Sequence, residues 1–348
     1  ENHRSAHQYK DLVEAELMRQ IEEGNYVVAS TKPAIISPLA AIPKDDGSVR
    51  LIHDGSRPFG CAMNNYATMR PERFQTIDDA CKLAKPNYWC AKLDLKAAYR
   101  SVPIHSDDYK VTGFKWRFAG DSQPTYLFDS RLPFGSTLAP SHFHRLSQAV
   151  ARCMRRRGWK DVVVYIDDFL VIAPTYDLCN QALHCLINLV RRLGFYVSWS
   201  KVVGPTQHIT FLGIDIDTRA CSLSLGREKL HKIQQQLQDF STKKRASKRQ
   251  LQRLAGLLNW ACQAVRGGRF FLRRLLDTMQ PLQQQHHKAK LSADFRKDIE
   301  WWMSFLYVFN GTVYYNRGET HHVHVDACRK ATGAFWRGDF QYVVFQKD

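Results

Sequence analysis

In the stretch VVVYIDDFLVIA, residues 162–173, two adjacent carboxylates, Asp167 and Asp168, sit between apolar runs where burial of charge is costly. A strand, a two-residue Asp-Asp turn and a second strand would form a β-hairpin whose tip presents both carboxylates together. Asp is common in turns, so a solvent-facing turn is the plain alternative. Adjacent like charges repel, however, and a divalent cation relieves the repulsion; an all-oxygen donor set selects magnesium or manganese. Such a site needs a further acid. Asp94, in AKLDLKAAYRSVPI, follows a short apolar strand and precedes a tight Ala-Ala segment, so a neighbouring strand could bring it beside Asp167. Taken alone, Asp94 reads as a helix cap.

The segments around these acids give the scaffold. From YWCAKLDLKAAYRSVPI to ITFLGIDID, short apolar strand candidates alternate with helices around LAPSHFHRLSQAVARCMRRRG and YDLCNQALHCLINLVRRLG, the pattern of one layered α+β domain. Upstream, DLVEAELMRQIEEG has helical spacing that stops at Gly24, and IISPLAAIPKDDGSVRLIHD reads as two strands joined by a polar Asp-Gly turn. Beyond Gly226 the composition turns helical, Gln-rich and basic, and STKKRASKRQLQRLAGLLNWACQAV opens a separate helical module at a Ser or Thr cap. QPLQQQHHKAKL reads as a linker, and the tail from His321, HHVHVDACRKATGAFWRGDFQYVVF, as two strands. His321, His322 and His324 show no metal-ligand spacing, and no internal repeat is present.

The 348 residues are 44% hydrophobic, enough for a sizeable core in two or three domains. Fifty Lys and Arg against 33 Asp and Glu leave a net charge of +17, more than solubility requires, and point to a polyanionic partner such as nucleic acid. No apolar run of the ~18 residues a membrane helix needs occurs, and ENHRSAHQYKDLVEAELMRQ lacks the plan of a signal peptide, so a soluble intracellular chain is expected. Nine cysteines without a CxxC pair read as reduced core residues rather than disulfides or zinc ligands. The sequon at Asn310-Gly311-Thr312 is then accidental.

Four segments in order, KLDLKAAYRSVPI, LPFGSTLAPSHF, YIDDF and LGFYVSWSKVVGPTQHITFLGIDID, resemble the palm motifs of reverse transcriptases of the retroviral, LTR and DIRS-like retroelement group. The resemblance spans residues 30–225, and IPKDDGSVRLIHD resembles that family's fingers hairpin. It implies an α+β right-hand polymerase with fingers at 1–70 and 102–138, palm at 71–101 and 139–225, thumb at 226–280 and a connection at 281–320. HVHVDACRKATGAFW, in a segment 321–348, resembles the start of an RNase H domain, with Asp326 in the position of its first catalytic acid. The implied activity is RNA- and DNA-directed DNA synthesis from dNTPs on an RNA or DNA template with a DNA primer. The chain would be part of a retrotransposon or retrovirus-like polyprotein in cytoplasm, nucleus or virus-like particles. The resemblance does not indicate an oligomeric state.

The same resemblance assigns roles. Asp94 and Asp167, with Asp168 beside them and the Leu95 carbonyl, would hold two Mg2+ ions, or Mn2+. Lys44 and Arg50 on the fingers hairpin would bind the triphosphate, together with the backbone amides of Ala97 and Ala98. Tyr99 would lie under the incoming sugar and exclude a 2′-hydroxyl. Phe134 and Gly135 fall in the next nucleotide-binding motif, where retroviral enzymes carry Gln before the Gly; Phe134 departs from that pattern and resembles several retrotransposon enzymes. Lys201 would stand near the pyrophosphate as a general acid, and Phe211, Leu212 and Gly213 match a primer-grip hairpin. Lys243, Lys244, Lys248 and Arg249, with Arg245 and Arg253 nearby and Arg266, Arg269, Arg273 and Arg274 further on, would grip duplex phosphates. Two other functions compete: an RNA-dependent RNA polymerase, which typically shows GDD and lacks an aromatic at the Tyr99 position, and a domesticated, inactive nucleic-acid-binding protein, against which the intact acids argue.

Overall fold

The computed structural model describes residues 1–44, 46–69, 71–315 and 322–345. Its central antiparallel sheet runs in the order Val203–Thr206, Trp89–Lys96, Asp168–Ala173, Val162–Tyr165, with Tyr196–Val197 pairing the end of Trp89–Lys96. The apolar runs on either side of the two acids at 162–173 arise because both faces of this sheet are covered. Val162, Val164, Phe169 and Val171 enter a core shared with helices Ala139–Arg156 and Tyr176–Arg192. Val163, Leu170 and Ile172 enter a second core with the strands His208–Phe211, Ile214–Asp217 and Ser222–Leu225 and the helices that follow. Side chains alternate between faces along a strand, so a strand buried on both sides shows no polar alternation. The two helices meet the sheet through residues at helical spacing, Phe143, Val150 and Met154 on one and Cys179, Leu183, Leu186 and Val190 on the other.

The N-terminal helix Lys10–Glu22 stops before Gly24, which takes a φ of 69° that favours glycine. Its Val13 and Leu17 join Leu39, Leu51, Phe114 and Leu127 in a third core. That core lies between the hairpin Leu39–Pro43/Val49–His53 and the sheet formed by Tyr26–Val28, Thr125–Asp129 and Gly113–Trp116. The Asp-Gly turn of the hairpin includes Asp45, which lies outside the described residues.

Three expectations need correction. The turn of the 162–173 hairpin is Ile166-Asp167, not Asp-Asp: Tyr165 pairs with Asp168, and Ile166 takes a φ of 52°. Both registers would keep the same side chains on the same faces, so contacts from outside the hairpin decide between them. The Ile166 N–H donates to His144 Nδ1 at 3.3 Å and the Leu95 N–H to the Asp167 carbonyl at 3.2 Å.

Next, the segment read as linker and connection is packed. Lys288–Lys290 pairs with Arg245–Ser247, and helix Ala293–Phe305 buries Phe295, Ile299 and Trp302 in the core of helices Arg227–Thr242 and Lys248–Ala261. Thr312–Val313 then joins Ser222–Leu225. Residues 288–313 therefore pack on the same core as strands 208–225 and the helices from 227, where the apolar face of the last long helix finds its partner. The Ser-Thr pair expected to open the helical module instead closes helix Arg227–Thr242, and the next helix, Lys248–Ala261, opens on a capping box of Ser247 with Gln250.

The tail forms three strands rather than two, His324–Ala327, Ala331–Trp336 and Asp339–Val344. Asp326 is exposed and paired with Gly333, while His321 lies outside the described residues. Among the described residues no helix is long and apolar enough to cross a membrane, and all nine cysteines are free thiols.

Candidate active site

Antiparallel pairing sets Asp94 directly opposite Asp168 at the end of the central sheet, and the Leu95–Asp167 backbone bond holds the hairpin tip to the same strand. Asp94 is thus a strand residue, neither a cap nor a neighbour of Asp167 alone. The outer edge of the hairpin is closed by side chains: the Val164 N–H donates to Gln75 Oε1 at 2.9 Å, and His144 receives the Ile166 N–H. His144 is fully buried, and burial lowers its pKa, which keeps Nδ1 free to accept. Gln75 and His144 escaped sequence reading because a lone Gln or His carries no pattern; only proximity to an unpaired edge N–H gives them a role.

The three carboxylates are mutually frustrated. Burial first, then the charges of Asp167 and Asp94, pushes Asp168 up to about 6, and Asp94 hydrogen-bonds to it. Asp167 is raised by burial and by Asp94, with Lys201 and Arg50 opposing. Lys201 Nζ donates to both oxygens of Asp94, at 3.3 and 3.2 Å. Among the described residues no group of three His, Cys, Asp or Glu side chains stands ready to hold a metal ion. At Asp94 the Lys201 ammonium occupies both carboxylate oxygens. The donor chemistry still fits: three carboxylates with raised or mutually opposed charge are what a hard divalent cation relieves.

This frustration makes a stability prediction. Ionising Asp168 is penalised in the folded chain only, so the penalty is absent below about pH 4, grows towards pH 6 and is complete above it. Asp168→Asn should therefore stabilise the fold by about 1–2 kcal/mol at pH 7–8, after allowance for screening at a partly exposed group. The gain, read by thermal unfolding without divalent cations, should fade towards pH 4. A gain independent of pH would assign the effect to packing.

Other expected residues arrive at the same cleft. Tyr99 packs against Phe134 and Phe143, with ring centroids at 5.0 and 5.8 Å, and burial, aided by the Asp167 charge, pushes its hydroxyl up to about 12. Arg50 lies over the Phe134 ring at 5.5 Å. Ala97 adopts a left-handed φ of 51°, which turns the chain out of the strand into the short 3-10 segment Ala98–Ser101. Gly135, at φ 119°, presses against the His53 carbonyl so closely that a Cβ would overlap it. Asn64 secures that loop, donating to the Gly135 carbonyl at 3.0 Å and accepting from the Thr137 N–H at 3.0 Å, a brace with no sequence signal.

The remaining candidates differ in their surroundings. Lys44 Nζ donates to Ser48 Oγ at 3.0 Å beside the hairpin turn, and Arg50, which shares a concavity with it, lies over the Phe134 ring. Phe211 is fully buried in the core, so only the turn Leu212-Gly213 is presented, backed by Trp260. Of the basic cluster, Lys243 pairs with Asp239 at 3.0 Å and Lys248 donates to the Gln283 carbonyl at 3.3 Å, while Lys244, Arg245, Arg249 and Arg253 are exposed.

Residues 42–216, half of the chain, match the family described as reverse transcriptase (RNA-dependent DNA polymerase). The Gag-Pol polyprotein of Koala retrovirus is 30% identical over 126 residues, covering 36% of this chain and 8% of that protein. Polyprotein P3 of Commelina yellow mottle virus is 29% identical over 213 residues, 61% of this chain and 10% of that one. The chain thus spans about a tenth of the length of these curated relatives. Among solved structures, a foamy viral protease-reverse transcriptase in complex with double-stranded DNA superposes with a TM-score of 0.74 at 18% identity, over 99% of this chain and 57% of that one. A foamy viral protease-reverse transcriptase in complex with an RNA/DNA hybrid gives a TM-score of 0.70 at 19% identity, over 99% of this chain and 44% of that one. At that identity the likeness is one of fold, and the fold is α+β.

Proposed function

The chain belongs to the reverse transcriptase (RNA-dependent DNA polymerase) family, and on that premise we propose that it extends a DNA primer on an RNA or DNA template from dNTPs, as one part of a retrovirus-like polyprotein. The observation that carries the reading is the pairing of Asp94 with Asp168, with Asp167 tied beside them. Asp94, Asp167 and Asp168, with the Leu95 carbonyl, would hold divalent cations, which when bound lower the pKa of the primer 3′-hydroxyl and neutralise charge on the transferred phosphate.

The chain's own residues do the rest. Arg50 would fork onto triphosphate oxygens. The turn at Ala97 and Ala98 would offer backbone amides to the same group, since small side chains permit close approach. Tyr99 forms the wall beneath the sugar. Leu212-Gly213, backed by Trp260, would support the primer end. Lys201 would release Asp94 for the phosphates and carry a proton to the leaving pyrophosphate. Fingers at 1–70 and 102–138 and palm at 71–101 and 139–225 remain the proposed division, with a thumb extended to 315 and the strands from 324 as the proposed start of an RNase H domain. Asp326 by itself would not support two-metal hydrolysis.

Primer extension on matched RNA and DNA templates, with magnesium or manganese, tests the reading. Extension by dNTPs on both supports it. Extension by ribonucleotides alone would favour an RNA polymerase, and tight duplex binding without extension a binding protein.

The basic helical surface gives a separate expectation. Converting Lys244 and Arg249 to Gln should weaken template-primer binding equally across sequences and flatten its salt dependence by up to about 0.9 per lost phosphate contact. An unchanged slope in binding titrations from low to moderate salt would place these residues in free solvent.

A further inference from the structure

Beneath the nucleotide-binding loop lies a buried polar cluster that the reaction as described does not use. Arg100 Nη1 donates to Asp129 Oδ1 at 2.8 Å, and Nη2 to the Leu132 carbonyl at 3.5 Å. Its guanidinium lies over Phe134 at 5.4 Å and over Tyr26 at 5.4 Å. Tyr26 and His53 complete the cluster, their OH and Nε2 3.2 Å apart, with His53 Nε2 3.5 Å from Asp129 Oδ2. Asp129, His53 and Tyr26 are all at most 3% exposed.

One residue therefore contacts the segment 129–134 at three points: its first side chain, the carbonyl of Leu132 and the ring of Phe134. The far end is clamped as well, since the His53 N–H donates to the Phe134 carbonyl at 2.8 Å and Gly135 abuts the His53 carbonyl. Phe134 in turn carries Arg50 on its ring and packs on Tyr99. The chain of contacts runs from a buried ion pair, through one aromatic ring, to the cation and the wall assigned to the incoming nucleotide.

A buried ion pair is weak evidence for stability, because apolar residues of similar volume often serve as well. Its geometry, by contrast, is specific: a planar fork reaches one carboxylate oxygen and a backbone carbonyl while its face lies on a ring, which an ammonium cannot reproduce. Resting on the polymerase reading, we infer that Arg100, fixed by Asp129, is a positioning residue for nucleotide selection: it sets the ring of Phe134, and through it Arg50 and Tyr99, in the arrangement that binds a deoxynucleoside triphosphate. Neither residue touches the reacting atoms. Loss of the fork loosens a nucleotide site without touching the duplex site.

The test compares wild type with Arg100→Lys and with the paired replacement Arg100→Met/Asp129→Leu, which removes both buried charges together and so avoids an orphaned one. Thermal unfolding, template-primer Kd, and kcat and KM for a dNTP and for the matching ribonucleotide are measured. Both variants should raise dNTP KM at least tenfold and shift the ribo-to-deoxy ratio, with duplex Kd within twofold of wild type. Phe134→Leu should show the same split. A paired variant that melts like wild type and keeps its nucleotide KM and its ratio overturns the inference, as does a fall in kcat alone. A wild-type chain that binds duplex yet extends nothing sinks the polymerase reading and this inference with it; an active wild type with unmoved variants sinks the inference only.

Discussion

Asp167→Asn should lower single-turnover primer extension at least a thousandfold, a loss of about 4 kcal/mol of transition-state stabilisation. The amide keeps the volume and one carbonyl oxygen but loses the charge that a divalent cation and the phosphates it holds require. The backbone of Asp167 also anchors the tip, through the Leu95 N–H at 3.2 Å. That anchor survives the change, so the hairpin should keep its place. Template-primer affinity, set by cations elsewhere, should stay within a few-fold. The measurement is rapid-mix extension of a labelled primer at saturating duplex and nucleotide, beside equilibrium duplex binding. Near-wild-type rates with Asn at 167 would remove the hairpin tip from the chemistry, and a collapse of duplex binding would show that the change had unfolded the site.

Tyr99→Val should open the site to ribonucleotides, changing the ratio of incorporation efficiencies tenfold or more, about 1.4 kcal/mol for each factor of ten. The ring is half-buried between Phe134 at 5.0 Å and the fully buried Phe143 at 5.8 Å. These rings back it from the protein side, and a packed wall discriminates by overlap. Its hydroxyl, pushed up to about 12, stays protonated throughout the working range, so discrimination by the wild type should not vary with pH between 6 and 9. Steady-state incorporation of one ribonucleotide and one deoxynucleotide opposite the same template base reads both claims. A mutant whose ratio stays put would make Tyr99 a core aromatic, and a wild type indifferent to the sugar would return weight to an RNA polymerase.

How much of this was legible in the sequence follows from the range of the interactions concerned. The paired strands flanking the acids at 162–173, the helices at 139–156 and 176–192 and the stop at Gly24 are local patterns of period and turn, and they stand in the fold as expected. The three acids were found because like charges embedded in apolar strands are anomalous at short range. The pairing of Lys288–Lys290 was missed because QPLQQQHHKAKL is polar and Gln-rich, and its order comes from one distant strand, Arg245–Ser247, whose pairing no local signal announces.

The tertiary structure alone decided what those residues do to one another. Two hairpin registers place the same side chains on the same faces, and only His144 and Leu95, 22 and 72 positions from their partners, choose between them. The ammonium of Lys201 on Asp94 spans 107 positions, and the Arg100–Asp129 pair spans 29. Contacts of this kind leave no periodicity, because a buried polar pair is selected by the single geometry in which both partners lose water and find each other. Sequence by itself therefore determined the elements and the kinds of chemistry the chain can hold. Register, ion pairing and the neighbours of each acid were set by the packing of elements far apart along the chain.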